Sequence, residues 1–216
     1  MCKRNRGFEV GVGIHPKKEL SPAQLSRLVT LTSSSHVRVL GEIGLDHTLP
    51  NTDWVRQDEL LERVLKQCYS FSRHCLICLH VRGMHGDEVA EECYFRALYL
   101  LRLTHIPRDQ KLILHAFSSS SKVVDKFLHQ YPGTYFSFTI EAGRFTMVQR
   151  AACKHLAGVN DRRILIESDG PYFPPSGQRV GAPHLLWETA KSVARVLGWE
   201  ARRVLELTRK NGLDLF

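Results

Sequence analysis

Apolar, β-branched runs alternate along this chain with stretches of helical period. The runs Phe8–Ile14, Val37–Ile43, Leu76–Leu79, Leu112–Ala116, Thr134–Phe138 and Arg163–Glu167 are short and continuously apolar, the pattern of strands buried on both faces. Between them lie helices. Ser21-Pro22-Ala23-Gln24 reads as a capping box with proline at the first helical position, and it opens a helix running through Leu28 toward Leu31. Trp54 to Phe71 spaces Leu61, Val64, Leu65 and Cys68 on one face. Asp87 can cap a helix carrying Val89, Ala90, Cys93, Tyr94, Ala97 and Leu101. Val123, Val124, Phe127 and Leu128 mark another, Val148, Ala151, Ala152 and Leu156 a fifth, and two more follow Pro183. Strands alternating with helices predict an α/β fold built on a parallel sheet.

Five of the strands end in polar clusters: Gly13-Ile14-His15-Pro16, Gly41-Glu42-Ile43-Gly44-Leu45-Asp46, Leu79-His80-Val81-Arg82, Leu114-His115-Ala116-Phe117-Ser118 and Ile166-Glu167-Ser168-Asp169-Gly170-Pro171. Histidines and acids recurring at strand ends are how a parallel β/α barrel assembles a site from many loops at one face. Glu42 follows a run expected to be buried, where a carboxylate needs a cation or several donors. His80 shares a strand face with Arg82, a metal ligand beside an anion clamp. His115 precedes a serine run that either offers donors to an anion or caps the next helix. Glu167 and Asp169 share one face of a strand end, so one can hold a metal while the other orients a ligand. Glu42, His80, His115 and Asp169 thus form a mixed nitrogen and oxygen set suited to Zn²⁺, Mn²⁺ or Mg²⁺, with His15 and Arg82 meeting substrate charge. The remaining histidines, His36, His47, His74, His85, His105, His129, His155 and His184, read as structural or solvent-exposed.

Composition narrows the class. At 216 residues, 43% hydrophobic and 24% charged, the chain suits one soluble globular domain spanning 1–216. No apolar stretch approaches the ~20 residues of a membrane span. The basic start at 1–7 lacks the apolar run of a signal peptide, which points to the cytosol or nucleus. The net charge of +8 leans toward a polyanionic partner. Cys75-Leu76-Ile77-Cys78 lies in a strand, where residues three apart face opposite ways, so the cysteines read as buried, reduced thiols rather than a metal knuckle.

In this order the clusters resemble the TatD family of metal-dependent deoxyribonucleases, within the amidohydrolase-like barrels. The resemblance runs through Gly13–Pro16, Gly41–Asp46, His80-x-Arg82, His115–Ser118, Glu167–Tyr172 and the closing Thr208, Asn211, Leu215 and Phe216, leaning to the TATDN2-like animal branch. It implies a TIM-type barrel and metal-dependent hydrolysis of phosphodiester bonds from a 3′ end, on single-stranded DNA or on RNA. It makes Glu42, His80, His115 and Asp169 the metal ligands, with Glu42 bridging where two ions bind. Glu42 and Asp169 become catalytic, and His15, Arg82 and Glu167 contact substrate. The chain departs from the family at its start, where the expected His-x-His strand and the first two β/α units are missing, leaving about six of the eight strands. Lys17 stands where a second histidine is common. Two rival readings follow: an inactive fragment that binds nucleic acid or a partner, and an amide or ester hydrolase on the same scaffold.

Overall fold

The computed structural model describes residues 8–69 and 75–216. The expectations for Cys2, for the basic start at 1–7, and for Phe71 and His74 fall outside the described residues. Six strands, β1 (Val10–Val12), β2 (Val37–Asp46), β3 (Leu76–Arg82), β4 (Leu112–His115), β5 (Thr134–Phe138) and β6 (Ile164–Ile166), lie in chain order in one sheet. Their registers run parallel, with Leu45 beside Val81 and Ser137 beside Leu165. Helices α1 (Pro22–Thr32), α2 (Trp54–Cys68), α3 (Glu91–Leu103), α4 (Ser121–Gln130) and α5 (Met147–Asn160) connect them, and α6 (Leu186–Leu197) and α7 (Ala201–Leu215) follow β6. The alternation expected from the apolar pattern is therefore the observed one. None of the described helices is long and apolar enough to cross a membrane.

The chain divides into two compact units, 1–113 with 131–133, and 114–130 with 134–216. In the first, α2 packs on β2 and α3 on β3, burying Leu40, Leu45, Leu61, Val64, Leu65, Ile77, Leu79 and Leu101. The α1 capping box forms: the Ser21 hydroxyl accepts from Gln24 N–H, and the Gln24 side chain accepts from Ser21 N–H. In the second unit, α4 packs on α5, α5 on α6 and α6 on α7, with α5, α6 and α7 covering β6. Phe117 meets the edges of Phe136 and Phe138 at centroid distances of 4.9 and 6.0 Å. Asn211 Nδ2 donates to the carbonyls of Asp161 and Ile164, tying α7 to the start of β6.

Three expectations need correction. The Asp87 segment does not begin a helix at once: Asp87 Oδ1 accepts from Val89 and Ala90 N–H, Ala90 takes a positive φ of 49°, and α3 starts only at Glu91. The turn consumes the residues that the apolar period assigned to the helix. On α5, Val148 and Ala151 are exposed, and the buried stripe is Ala152, Cys153 and Leu156, rotated toward the sheet. On β2 the strand continues beyond Ile43 to Asp46, so Glu42 lies inside it and not at its tip.

The reason for the last difference is local. Between Leu40 and Ile43 the register with β3 slips by one residue, a bulge that re-aims side chains without ending the pairing. Gly44 allows the strand to run on: its φ is +150°, and a Cβ there would lie 1.9 Å from the His80 carbonyl oxygen. Gly44→Ala should therefore lower stability by about 2–4 kcal/mol, read from the urea midpoint at unchanged slope. A near-neutral result would mean that β2 and β3 do not approach this closely.

Candidate metal centre

The first unit gathers His15, Lys17, Glu42, Asp46 and His80. His80, on β3, is buried. Its Nδ1 lies 3.3 Å from Glu42 Oε2 and its Nε2 3.0 Å from Asp46 Oδ2. The two carboxylates differ in surroundings. Asp46 is 1% exposed, and its oxygens are saturated: Oδ1 accepts from the Thr48 N–H and hydroxyl, and Oδ2 pairs with Lys17 Nζ at 3.2 Å as well as with His80. Gln57 fastens the same residue through its backbone, accepting from Asp46 N–H at 2.6 Å and donating to Asp46 O at 2.8 Å. Burial opposes ionisation of this carboxyl, but the hydrogen bonds from His80 and Thr48 outweigh it and hold the group well below the usual carboxylate range. Glu42, by contrast, keeps about a third of its side chain exposed.

A carboxylate in that state has no proton to give, so His80 Nε2 must be the nitrogen that carries hydrogen toward Asp46. In the neutral ring Nδ1 is then a lone pair facing Glu42 Oε2, two acceptors in contact. Such a pair requires a proton or a cation between them. His15 stands against the same place, its ring 4.4 Å from that of His80, and donor atoms of His15, Glu42 and His80 all lie within 4.8 Å of one another. The donors, imidazole nitrogen and carboxylate oxygen, are those that Zn²⁺ and Mn²⁺ take. His15 Nδ1 accepts from the Lys17 N–H at 3.2 Å, which leaves its Nε2 as the protonated nitrogen of the neutral ring. Burial, then the nearby His80, lower the pKa of His15. Gly13 makes room for the group: a Cβ on it would lie 2.4 Å from the Glu42 carbonyl oxygen. Arg82 ends β3 with an exposed side chain. Arg56 holds the His15 loop by donating to the Pro16 and Lys18 carbonyls.

The second unit repeats the arrangement. His115, at the end of β4, presents Nδ1 to Glu167 Oε1 at 2.9 Å and Nε2 to Asp169 Oδ1 at 3.4 Å. Glu167 Oε1 also accepts the Ala116 N–H at 2.7 Å. Asp169 adopts a positive φ of 47°, and its carbonyl accepts the Tyr172 N–H, so a tight turn brings this carboxylate to the ring. The following serines serve the helix: Val123 and Val124 N–H both donate to the Ser120 carbonyl, and Ser119 and Ser120 are buried. Cys68, Cys75, Cys93 and Cys153 are buried free thiols, and Cys78 is a half-buried one. Burial pushes Cys93 and Cys153 up to about 12, which suits packing rather than ligation.

With this geometry, comparison with known proteins becomes specific. A family model described as TatD related DNase matches residues 2–216. The chain belongs to the TatD-related DNase family. It is 26% identical over 212 residues to the human 3′-5′ RNA nuclease TATDN2, covering 94% of this chain and 26% of that protein. The matched stretch is thus about a quarter of the length of that relative. To an uncharacterized metal-dependent hydrolase of Escherichia coli K12, YcfH, it is again 26% identical, over 72% of the relative, and to the human deoxyribonuclease TATDN3 it is 24% identical over 77%. Among solved structures, the TatD homologue YJJV of Escherichia coli superposes with a TM-score of 0.76 at 20% identity, covering all of this chain and 79% of that one. An uncharacterized amidohydrolase of Saccharomyces cerevisiae gives 0.70 at 16%, over 95% and 79%. These likenesses establish the TatD-type hydrolase fold.

Sequence reasoning passed over Asp46, which it quoted within a motif without a role, and Lys17, which it met only as a departure from the family. Their signal was weak because both act through contacts between segments distant in the chain. Replacing Asp46 by alanine strands the Lys17 ammonium, the Thr48 hydroxyl and His80 Nε2. Asp46→Ala should cost about 3 kcal/mol in chemical denaturation, and Asp46→Asn less. Equal stability of both variants and the parent would contradict the network.

Proposed function

We propose that this TatD-family chain is a metal-dependent nuclease that hydrolyses phosphodiester bonds of single-stranded DNA or RNA, working from the 3′ end. The observation that carries the reading is the pair of histidines, His80 and His115, each with a carboxylate at both ring nitrogens. In each pair one carboxylate orients the ring and the other can serve as a ligand. Asp46 and Glu167, tied to their own donors, are the orienting members, so Glu167 acts on His115 rather than on substrate. Glu42 with His80 in the first unit, and Asp169 with His115 in the second, are each donors for a divalent ion. When bound, such an ion lowers the pKa of a water and draws charge from a phosphoryl oxygen.

The protein's own groups do the rest. Arg82 offers a planar fork of donors to a phosphate oxygen. His15, with Nδ1 engaged by the Lys17 N–H, offers Nε2–H to the same charge. Glu42 and Asp169 would hold the ion and could accept hydrogen bonds from the attacking water. The names of the relatives support both nucleic acids, one being called an RNA nuclease and another a deoxyribonuclease. The net charge of +8 fits a polyanionic substrate.

The experiment is degradation of 3′- and 5′-labelled single-stranded DNA and RNA by purified protein with Mg²⁺, Mn²⁺, Zn²⁺ or EDTA. Shortening from the 3′ end should require metal and fall at least about a hundredfold in Glu42→Ala and in Asp169→Ala, with circular dichroism unchanged. Cleavage that persists in EDTA and in both variants would refute the mechanism. A folded, metal-binding protein that holds oligonucleotide without cutting it would replace the nuclease reading by a binding one.

A further inference from the structure

A cavity of about 230 Å³ lies where the first turns of α2 and α3 meet the ends of β2 and β3, among His47, Trp54, Asp58, Met84, Glu92 and Arg96. In a parallel α/β unit those helix starts follow the strand tips, so the cavity occupies the same end of the first unit as Glu42, His80 and Arg82. Its connection to Arg82 is direct: the His47 N–H and the Cys93 thiol both donate to the Arg82 carbonyl, at 2.8 and 3.3 Å. The size falls below the roughly 300–1,000 Å³ of pockets for drug-sized ligands and suits a single heterocycle.

The lining has three chemical features. The rings of His47 and Trp54 are nearly parallel, 13° apart with centroids at 4.0 Å, and the Trp54 indole N–H donates to the Leu49 carbonyl, which fixes the pair. Burial lowers the pKa of His47. The exposed Met84 thioether adds a soft apolar surface. Second, Asp58, Asp87 and Glu92 outnumber Arg96, which repels a phosphate and attracts N–H donors. Third, two polar atoms are unused. Arg96 binds Asp58 Oδ2 at 2.8 Å, while Asp58 Oδ1 and His47 Nε2 are buried without a hydrogen-bond partner among the described residues. A ligand that settles in the cavity and swings aside the exposed Arg96 or Met84 side chains supplies what they lack.

We infer that this cavity is a base-binding subsite for the nucleotide next to the phosphate held at Arg82, selective for a base with an exocyclic amino group. Flat aromatic rings and a thioether accept a base face, and a carboxylate oxygen accepts from the exocyclic amino group of adenine or cytosine, where thymine carries a carbonyl that a carboxylate repels and keeps only its ring N3–H as a donor. This rests on the nuclease reading above.

The test is fluorescence anisotropy of short labelled oligomers of dA, dC or dT with the intact protein in EDTA, beside turnover of bis(4-nitrophenyl) phosphate, a diester without a base, in Mn²⁺. The protein should bind dA and dC oligomers more tightly than dT. Trp54→Ala should weaken oligomer binding about tenfold. Asp58→Asn should remove the preference for amino-bearing bases while dT binding stays as it was. Equal binding of all three oligomers by the parent protein would overturn the subsite, as would binding indifferent to both substitutions. Base-selective binding without any metal-dependent cleavage would refute the nuclease reading alone.

Discussion

An imidazole ring has two nitrogens, and an ionised carboxylate can only accept. When carboxylates flank both nitrogens, a neutral ring satisfies one of them and leaves the other facing a lone pair. His80 and His115 each stand in that position, and the rest of the site follows from it. One contact orients the ring and the other calls for a positive charge. Which is which depends on the remaining donors around each acid. Asp46 is buried and saturated by Thr48, Lys17 and the Gln57-fastened backbone, whereas Glu42 keeps solvent access. Glu167 is tied to the Ala116 N–H, whereas Asp169 is delivered by a left-handed turn.

This arrangement makes demands on the backbone. A histidine can meet acids on a neighbouring strand only if the strands lie close and in the right register. The bulge between Leu40 and Ile43 turns Glu42 while keeping Asp46 paired beside Arg82, and the missing side chains of Gly13 and Gly44 let backbone meet backbone. Tolerance for these features comes from the packed helices α2 and α3, whose buried leucines and Tyr94 brace β2 and β3 from behind. The same helices, through their first turns, shape the cavity beside Arg82.

Much of this was legible in the chain. Short apolar runs separated by helical periods are a local signal, and they determined six strands in order, with five helices between them and two after the last. The recurring histidines and acids at the strand ends pointed to a metal, and their order along the chain to the TatD family. The fold and the family are legible because periodicity and motif spacing are properties of neighbouring residues. Other features were decided only by tertiary structure. The rotation of α5 that exposes Val148 and Ala151 reflects which side the sheet lies on, which a helical period cannot state. The role of Asp46 depends on Lys17, Thr48, Gln57 and His80 converging from separate elements. His47 reads in sequence as structural or solvent-exposed, and only the fold places it half-buried and stacked on Trp54. In each case the sequence determined the residue's chemistry, and the fold alone determined its partners, because hydrogen bonding and stacking act over a few ångströms between atoms that the chain separates by many residues.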